Sequence, residues 1–318
     1  RAFPFDDPWH IISVQQEDCF EIGVIRDLKE FDEETVKLLP FLFLTYLLME
    51  FLEHKAAQKT ADITKGIYDM CFTVFNMPCS FMVPITTSVL PAITALLTTK
   101  DFAGAKATEE SAARITGLIS MPCAFGLSLM AEPVTALLGG YTGENLVLAT
   151  KLMAVLGFSI MFNAVVLVTT AIMQAHGHAT RPVINMLIGG VLKLAAVFIL
   201  TGNPNIGIVG PPVGTLLCYI AIAVLTISSI RQLLAHPPAI LKNLLRPFLA
   251  ALIMGVFVLT AFRGLKMLGF DSRLILCGAP IAVGVLAYVL AAVKLKVVTR
   301  EDCLLLPKGE KIAKLLHL

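Results

Sequence analysis

Residues 66–97 read GIYDMCFTVFNMPCSFMVPITTSVLPAITALL, with Asp69 the one charged residue among them. At 1.5 Å per residue, about 20 helical residues cross a hydrocarbon core about 30 Å thick. The block is therefore long enough to be a membrane span. Its polar side chains are not scattered. Lys65, just before the block, then Asp69, Thr73, Asn76, Ser80 and Thr87 follow at steps of four, four, three, four and seven. At 3.6 residues per turn they share one face. Ile67, Cys71, Val74 and Met82 fall on other faces. Pro78, Pro84 and Pro91 each remove a backbone hydrogen bond and favour a bend. A polar face within lipid is costly unless it meets protein or water, so the stripe reads as the lining of a hydrated cavity. An ordinary helix contact, with hydroxyls bonded back to their own helix, is the plainer alternative.

Similar blocks recur outward from this one, at about 114–138, 146–175, 182–201, 208–232, 244–263 and 273–295. Turn chemistry separates them: Gly139-Gly140, His176-Gly177-His178, Gly202-Asn203-Pro204-Asn205 and Pro237-Pro238. Only 15% of the 318 residues are charged and mean hydropathy is +0.81, where a soluble domain usually carries about 25% charge. No series of alternating ten-residue segments suggests a barrel, so helices are the spanning option. The fold class expected is all-α: a polytopic transmembrane helix bundle of about seven spans.

The ends differ from this body. Residues 1–37 hold ten Asp/Glu against four Lys/Arg, are without clear period, and suggest no fold. Residues 38–52, LLPFLFLTYLLMEFL, are apolar but short, and could be an interfacial helix or a damaged span. The division expected is an atypical acidic segment over 1–60, a transmembrane lobe over 61–298 and a tail over 299–318. In the tail, Lys308, Lys311 and Lys314 among Ile312, Leu315 and Leu316 suit a surface helix or a plain solvated tail. The chain opens on Arg1 rather than Met, and reads as a fragment or a truncated gene model.

Basic residues give the orientation. One set of ends holds Lys100, Lys106, Arg114, Arg181, Arg231, Lys242 and Arg246, and the tail side adds Lys294, Lys296, Arg300, Lys308, Lys311 and Lys314. The opposite ends hold Lys151, Arg263, Lys266 and Arg273. The excess places the C-terminus in the cytoplasm of a plasma-membrane protein. Cations at span ends fit anionic headgroups more simply than nucleic acid.

Other intramembrane polar groups invite two readings each. Ser159, Asn163, Thr170 and Gln174 form a second stripe, a cavity wall or hydrogen-bonded glue between helices. Asn185 and Lys193 flank Gly189-Gly190, with Lys193 too deep to reach the surface easily. It either pairs with a carboxylate or meets hydrated space. Glu132, before Pro133, reads as a satisfied interfacial carboxylate, and His176 with His178 as a turn rather than a metal site. Seven cysteines without a CxxC pair argue against zinc or a disulfide framework. GxSxG, HExxH and Walker A signatures are absent. The expectation is a non-enzyme without cofactor, catalytic residue or metal.

Several segments, in this order, carry a resemblance: Gly66-Ile-Tyr-Asp69 with Phe75-Asn-Met-Pro78, Ser88-Val-Leu-Pro-Ala-Ile-Thr94, Ala131-Glu-Pro133, and Asn163 with Ile172-Met-Gln174. Arg181-Pro-Val-Ile-Asn185, Val191-Leu-Lys193, Gly214-Thr-Leu-Leu217 and Arg300-Glu-Asp302 with Leu306-Pro-Lys-Gly-Glu-Lys-Ile312 continue it. From Gly66 onward the chain resembles the polysaccharide transporter branch of the MOP exporter superfamily, nearest the stage V sporulation protein B group and related to the MurJ lipid II flippases. The resemblance implies two pseudo-symmetric lobes of about fourteen helices around a central cavity, with this chain as the C-terminal lobe. It implies alternating access for an undecaprenyl-linked sugar precursor of peptidoglycan or spore cortex, with a missing N-terminal lobe and membrane lipids as partners. Helix eight of that plan lines the cavity, which is the position of the Lys65-to-Thr87 stripe. Some relatives bind a coupling cation near helices eleven and twelve; Lys193 lies there, and its ammonium would take the cation's place. The rivals are a drug exporter of the same superfamily, a membrane-embedded glycan transferase or polymerase, and a non-functional half-gene.

Overall fold

The computed structural model describes residues 62–203, 206–269, 272–295 and 297, and the backbone of three strands near the N-terminus. Eight helices follow those strands: α1 (Asp62–Thr98), α2 (Phe102–Leu129), α3 (Ala131–Leu138), α4 (Gly143–Ala175), α5 (Thr180–Thr201), α6 (Gly210–Leu233), α7 (Ile240–Met267) and α8 (Arg273–Lys294). All but the short α3 are long and apolar enough to cross a membrane, which makes seven spans among the described residues. The 38–52 stretch and the tail from residue 299 lie outside the described residues.

The strands were not expected. β1 (Ala2–Pro4), β2 (His10–Gln15) and β3 (Glu21–Asp27) form an antiparallel meander in the order β1-β2-β3. The acidic count of the segment hides runs such as His10-Ile-Ile-Ser-Val14 and Ile22-Gly-Val-Ile25, whose β-branched residues favour extended backbone.

α4 is the centre of the lobe. Two thirds of its span is buried, against 17% for α1, and it packs on α1, α2, α3 and α6. Leu152, Met153, Leu156, Ile160, Ile172 and Met173 are its fully buried side chains. α1 answers with Ile67, Cys71, Phe75 and Met82, at helical spacing and almost wholly buried. Beyond this layer α5 packs on α6, while α7 packs on α8 and α2.

Small residues let these helices close up where lipid offers no hydrophobic push. A Cβ on Gly157 of α4 would stand 2.8 Å from the Ser128 backbone nitrogen of α2. At that crossing Ser128 Oγ donates to the Ala154 carbonyl, 3.0 Å away. Across α2 and α8, Tyr288 donates its hydroxyl to the Leu118 carbonyl at 2.8 Å.

The second span differs from its expected limits of 114–138. The charged stretch at 98–113 is mostly helix: a turn at Thr99–Asp101 suffices, because Asp101 Oδ1 accepts from the Gly104 N–H at 2.9 Å and caps α2. At the far end α2 stops at Leu129 and α3 starts afresh at Ala131. Pro133 has no N–H to return to Leu129, so the helix cannot run on through it with its bonds intact. α1, by contrast, stays helical through Pro78, Pro84 and Pro91. The carbonyls four residues before each proline, those of Val74, Ser80 and Thr87, are thereby denied their usual helical donors.

Candidate functional site

The two faces of α1 differ in kind. One, headed by Ile67, Cys71 and Phe75, is packed against the lobe. The other is uncovered and carries Asp69, Thr73, Ser80 and Thr87, all exposed, with Lys65 and Asn76 half-buried at its edges. Met77 and Phe81 stand among them, exposed. The hydroxyls are anchored to their own helix: Thr73 Oγ1 donates to the Asp69 carbonyl at 2.8 Å, Ser80 Oγ to that of Asn76 at 3.0 Å, and Thr87 Oγ1 to that of Pro84 at 3.0 Å. Each donor is thus satisfied while the oxygen keeps acceptor capacity outward.

The uncovered sides of α7 and α8 differ from this face. They present Leu245, Leu249, Ile253 and Val256, and Val285, Leu286, Val289 and Leu290. These residues are apolar. The α1 face instead carries a carboxylate and a row of hydroxyls, with Met77 and Phe81 among them.

The remaining candidates go elsewhere. Asn163 of α4 lies beside Cys79 of α1, which places it in the α1–α4 seam behind the stripe. Gln174 is exposed near the end of α4. Asn185 is buried between α5 and α6, where its amide donates to Thr226 Oγ1 at 3.2 Å and approaches Ser229 Oγ at 3.4 Å. Lys193 is half-buried on α5 near Cys218 of α6, and its carbonyl lies where the backbones close over Gly214. The structure therefore joins the six α1 residues on one surface and puts Asn185 and Lys193 on a separate helix pair.

Next to the stripe is an aromatic series that the polar-residue reading passed over. Tyr68 stacks on Phe72 with centroids 5.9 Å apart, Phe72 tilts on Phe75 at 5.7 Å, and Phe75 meets Tyr219 of α6 at 6.4 Å. The spacing 68, 72, 75 was a usable signal; the partner on α6 was not.

Polar ties also organise the two ends of the lobe. At the end shared by the α1–α2, α4–α5 and α6–α7 turns, buried Glu109 meets His176 Nε2 at 2.6 Å. Glu110 Oε1 accepts the Ala239 N–H at 3.0 Å and Arg114 donates to Asn243 Oδ1 at 3.2 Å. At the opposite end Lys266 pairs with Glu132 at 2.9 Å, both exposed, as expected for an interfacial carboxylate. Among the described residues no three His, Cys, Asp or Glu side chains converge as metal ligands.

This arrangement has known counterparts. The family model for the lipid II flippase MurJ matches residues 39–276. The chain belongs to the MurJ family. The match begins inside the segment set apart as atypical and ends within α8. Among curated proteins, the chain is 24% identical over 275 residues to the uncharacterized membrane protein YabM of Bacillus subtilis (strain 168), covering 85% of this chain and 50% of that protein. It thus spans about half the length of that relative. A solved lipid II flippase MurJ in an inward closed conformation superposes with a TM-score of 0.64 at 15% identity, covering 79% of this chain and 51% of the other. An outward-facing multidrug resistance MATE family transporter of the MOP superfamily gives 0.57 at 17% identity, covering 88% and 68%. These structures establish the shared MOP fold for this MurJ-family lobe.

Proposed function

We infer that the chain is one lobe of a flippase that carries an undecaprenyl-linked, lipid II-like sugar precursor across the bacterial cytoplasmic membrane, with its C-terminus in the cytoplasm. The observation that carries this reading is the uncovered face of α1, polar where the uncovered faces of α7 and α8 are apolar. Facing a second lobe, Asp69, Thr73, Asn76, Ser80 and Thr87 would line a wet path for the sugar, and Lys65 would offer a cation to the pyrophosphate. The prenyl chain would stay in lipid. Lys193, and not a bound metal cation, would supply the positive charge between α5 and α6. The MurJ family membership supports the substrate class, and the thirteen basic residues at one set of ends support the orientation.

The test is reconstitution of the complete transporter, this lobe with its N-terminal counterpart, in vesicles holding fluorescent lipid II. Protein-dependent transfer between leaflets is expected, and a Thr73→Leu, Ser80→Leu, Thr87→Leu variant, which makes the face apolar, should slow it. Efflux of cationic dyes without lipid II movement would favour the multidrug exporter instead. Glycan synthesis in detergent, where no leaflets exist, would favour a transferase or polymerase.

A further inference from the structure

A cleft of about 250 Å³ opens between the end of α6 and the start of α7. Ile227, Ile230, Ile240 and Leu241 supply its apolar wall, and Arg231 and Lys242 stand over it. Arg231 belongs to the last turn of α6 and Lys242 to the first turn of α7, so both cations lie at the level where the spans leave the hydrocarbon. Both are exposed, and among the described residues neither is in an ion pair. The first turn of α7 contains no acidic residue. The Glu110 carboxylate, at the cleft's edge, is engaged by the Ala239 N–H.

We propose that this cleft holds one anionic phospholipid of the leaflet facing the basic ends of the lobe, its phosphate between Arg231 and Lys242 and the start of an acyl chain along Ile227, Ile230, Ile240 and Leu241. The two parts of the site call for the two parts of such a molecule. A free phosphate would leave the apolar wall wet, and an uncharged lipid would leave two neighbouring cations without a counter-charge. A basic residue near a membrane surface contributes on the order of 1 kcal/mol of attraction to anionic lipid, so two correspond to roughly 30-fold in affinity. The site is remote in sequence from the α1 stripe and does not depend on the substrate reading.

The protein in nanodiscs of phosphatidylcholine with graded phosphatidylglycerol, analysed by native mass spectrometry, tests this. One phosphatidylglycerol should be retained at low mole fraction. Arg231→Gln with Lys242→Gln should weaken its retention roughly 30-fold, whereas Arg181→Gln with Lys100→Gln, the same charge loss at the same end, should not. Arg231→Lys with Lys242→Arg should restore retention. Equal loss in both neutralised variants would reduce the effect to general surface charge and overturn the site. So would unchanged retention in the first, or displacement of the lipid by millimolar soluble glycerol phosphate.

Discussion

His176 Nε2 lies 2.6 Å from Glu109 Oε1, and this ties the end of α4 to α2 through a carboxylate that is 1% exposed. Glu132 and Lys266 at the other end are separated by 2.9 Å but are 44% and 60% exposed. The distances are similar and the surroundings are not. Removing His176 leaves the buried Glu109 carboxyl without its hydrogen-bond partner, whereas an exposed pair is nearly repaid by water. His176→Ala should therefore cost about 1–3 kcal/mol, and Lys266→Ala less than about 1 kcal/mol. Thermal unfolding in detergent reads both; equal shifts would show that burial does not separate them.

Helix spacing can be probed at two glycines. A methyl on Gly157 would press on the Ser128 backbone, and one on Gly189 would press on the Ile222 side chain. Backbone in a packed seam cannot step aside, while an isoleucine can change rotamer. Gly157→Ala should cost about 1–3 kcal/mol and Gly189→Ala clearly less. The comparison of their unfolding temperatures fails this reasoning if the order is reversed.

Asn185 is the polar clasp of α5 on α6, through Thr226 and Ser229. Interhelical hydrogen bonds in membranes average about 0.6 kcal/mol and reach about 1.7 kcal/mol. A double-mutant cycle of Asn185→Ala and Thr226→Val should return a coupling in that range. A coupling near zero would assign Asn185 to a role other than holding the pair together.

Water access distinguishes the two faces of α1 directly. In the complete transporter, Thr73→Cys and Ser80→Cys should react with a membrane-impermeant maleimide about tenfold faster or more than Cys71 and Cys79, because thiol reaction requires exposure. Both native thiols are buried. Labelling of Cys71 at the rate of Thr73→Cys would remove the basis for a polar path along α1.

Much of the lobe was legible because lipid imposes a length rule that the sequence must obey. Seven apolar blocks became seven spans, and the step pattern at 65–87 became one uncovered face. The second span was misjudged because its first turns carry Lys106, Glu109 and Glu110, which hydropathy treats as loop. The partners of Glu109 and Glu110, which are His176 and Ala239, are far away in sequence and give no local sign. The same holds for Asn185: its helix position was readable, but whether it faced Thr226 or open space depended on how α5 and α6 turn toward each other. The N-terminal strands were hidden by a charge excess that says nothing about backbone conformation.

The prolines of α1 have a consequence beyond curvature. Pro84 and Pro91 withhold the N–H groups that would have reached the carbonyls of Ser80 and Thr87, two members of the polar face. Two main-chain oxygens that lack their usual helical donors thus lie beside the side-chain oxygens of this face, about two turns apart. Around Ser80 and Thr87 this face thus gains main-chain hydrogen-bond acceptors without gaining fixed charge, and under the flippase reading proposed above a hydroxyl-rich headgroup would be handed along it without being held fast at any one rung.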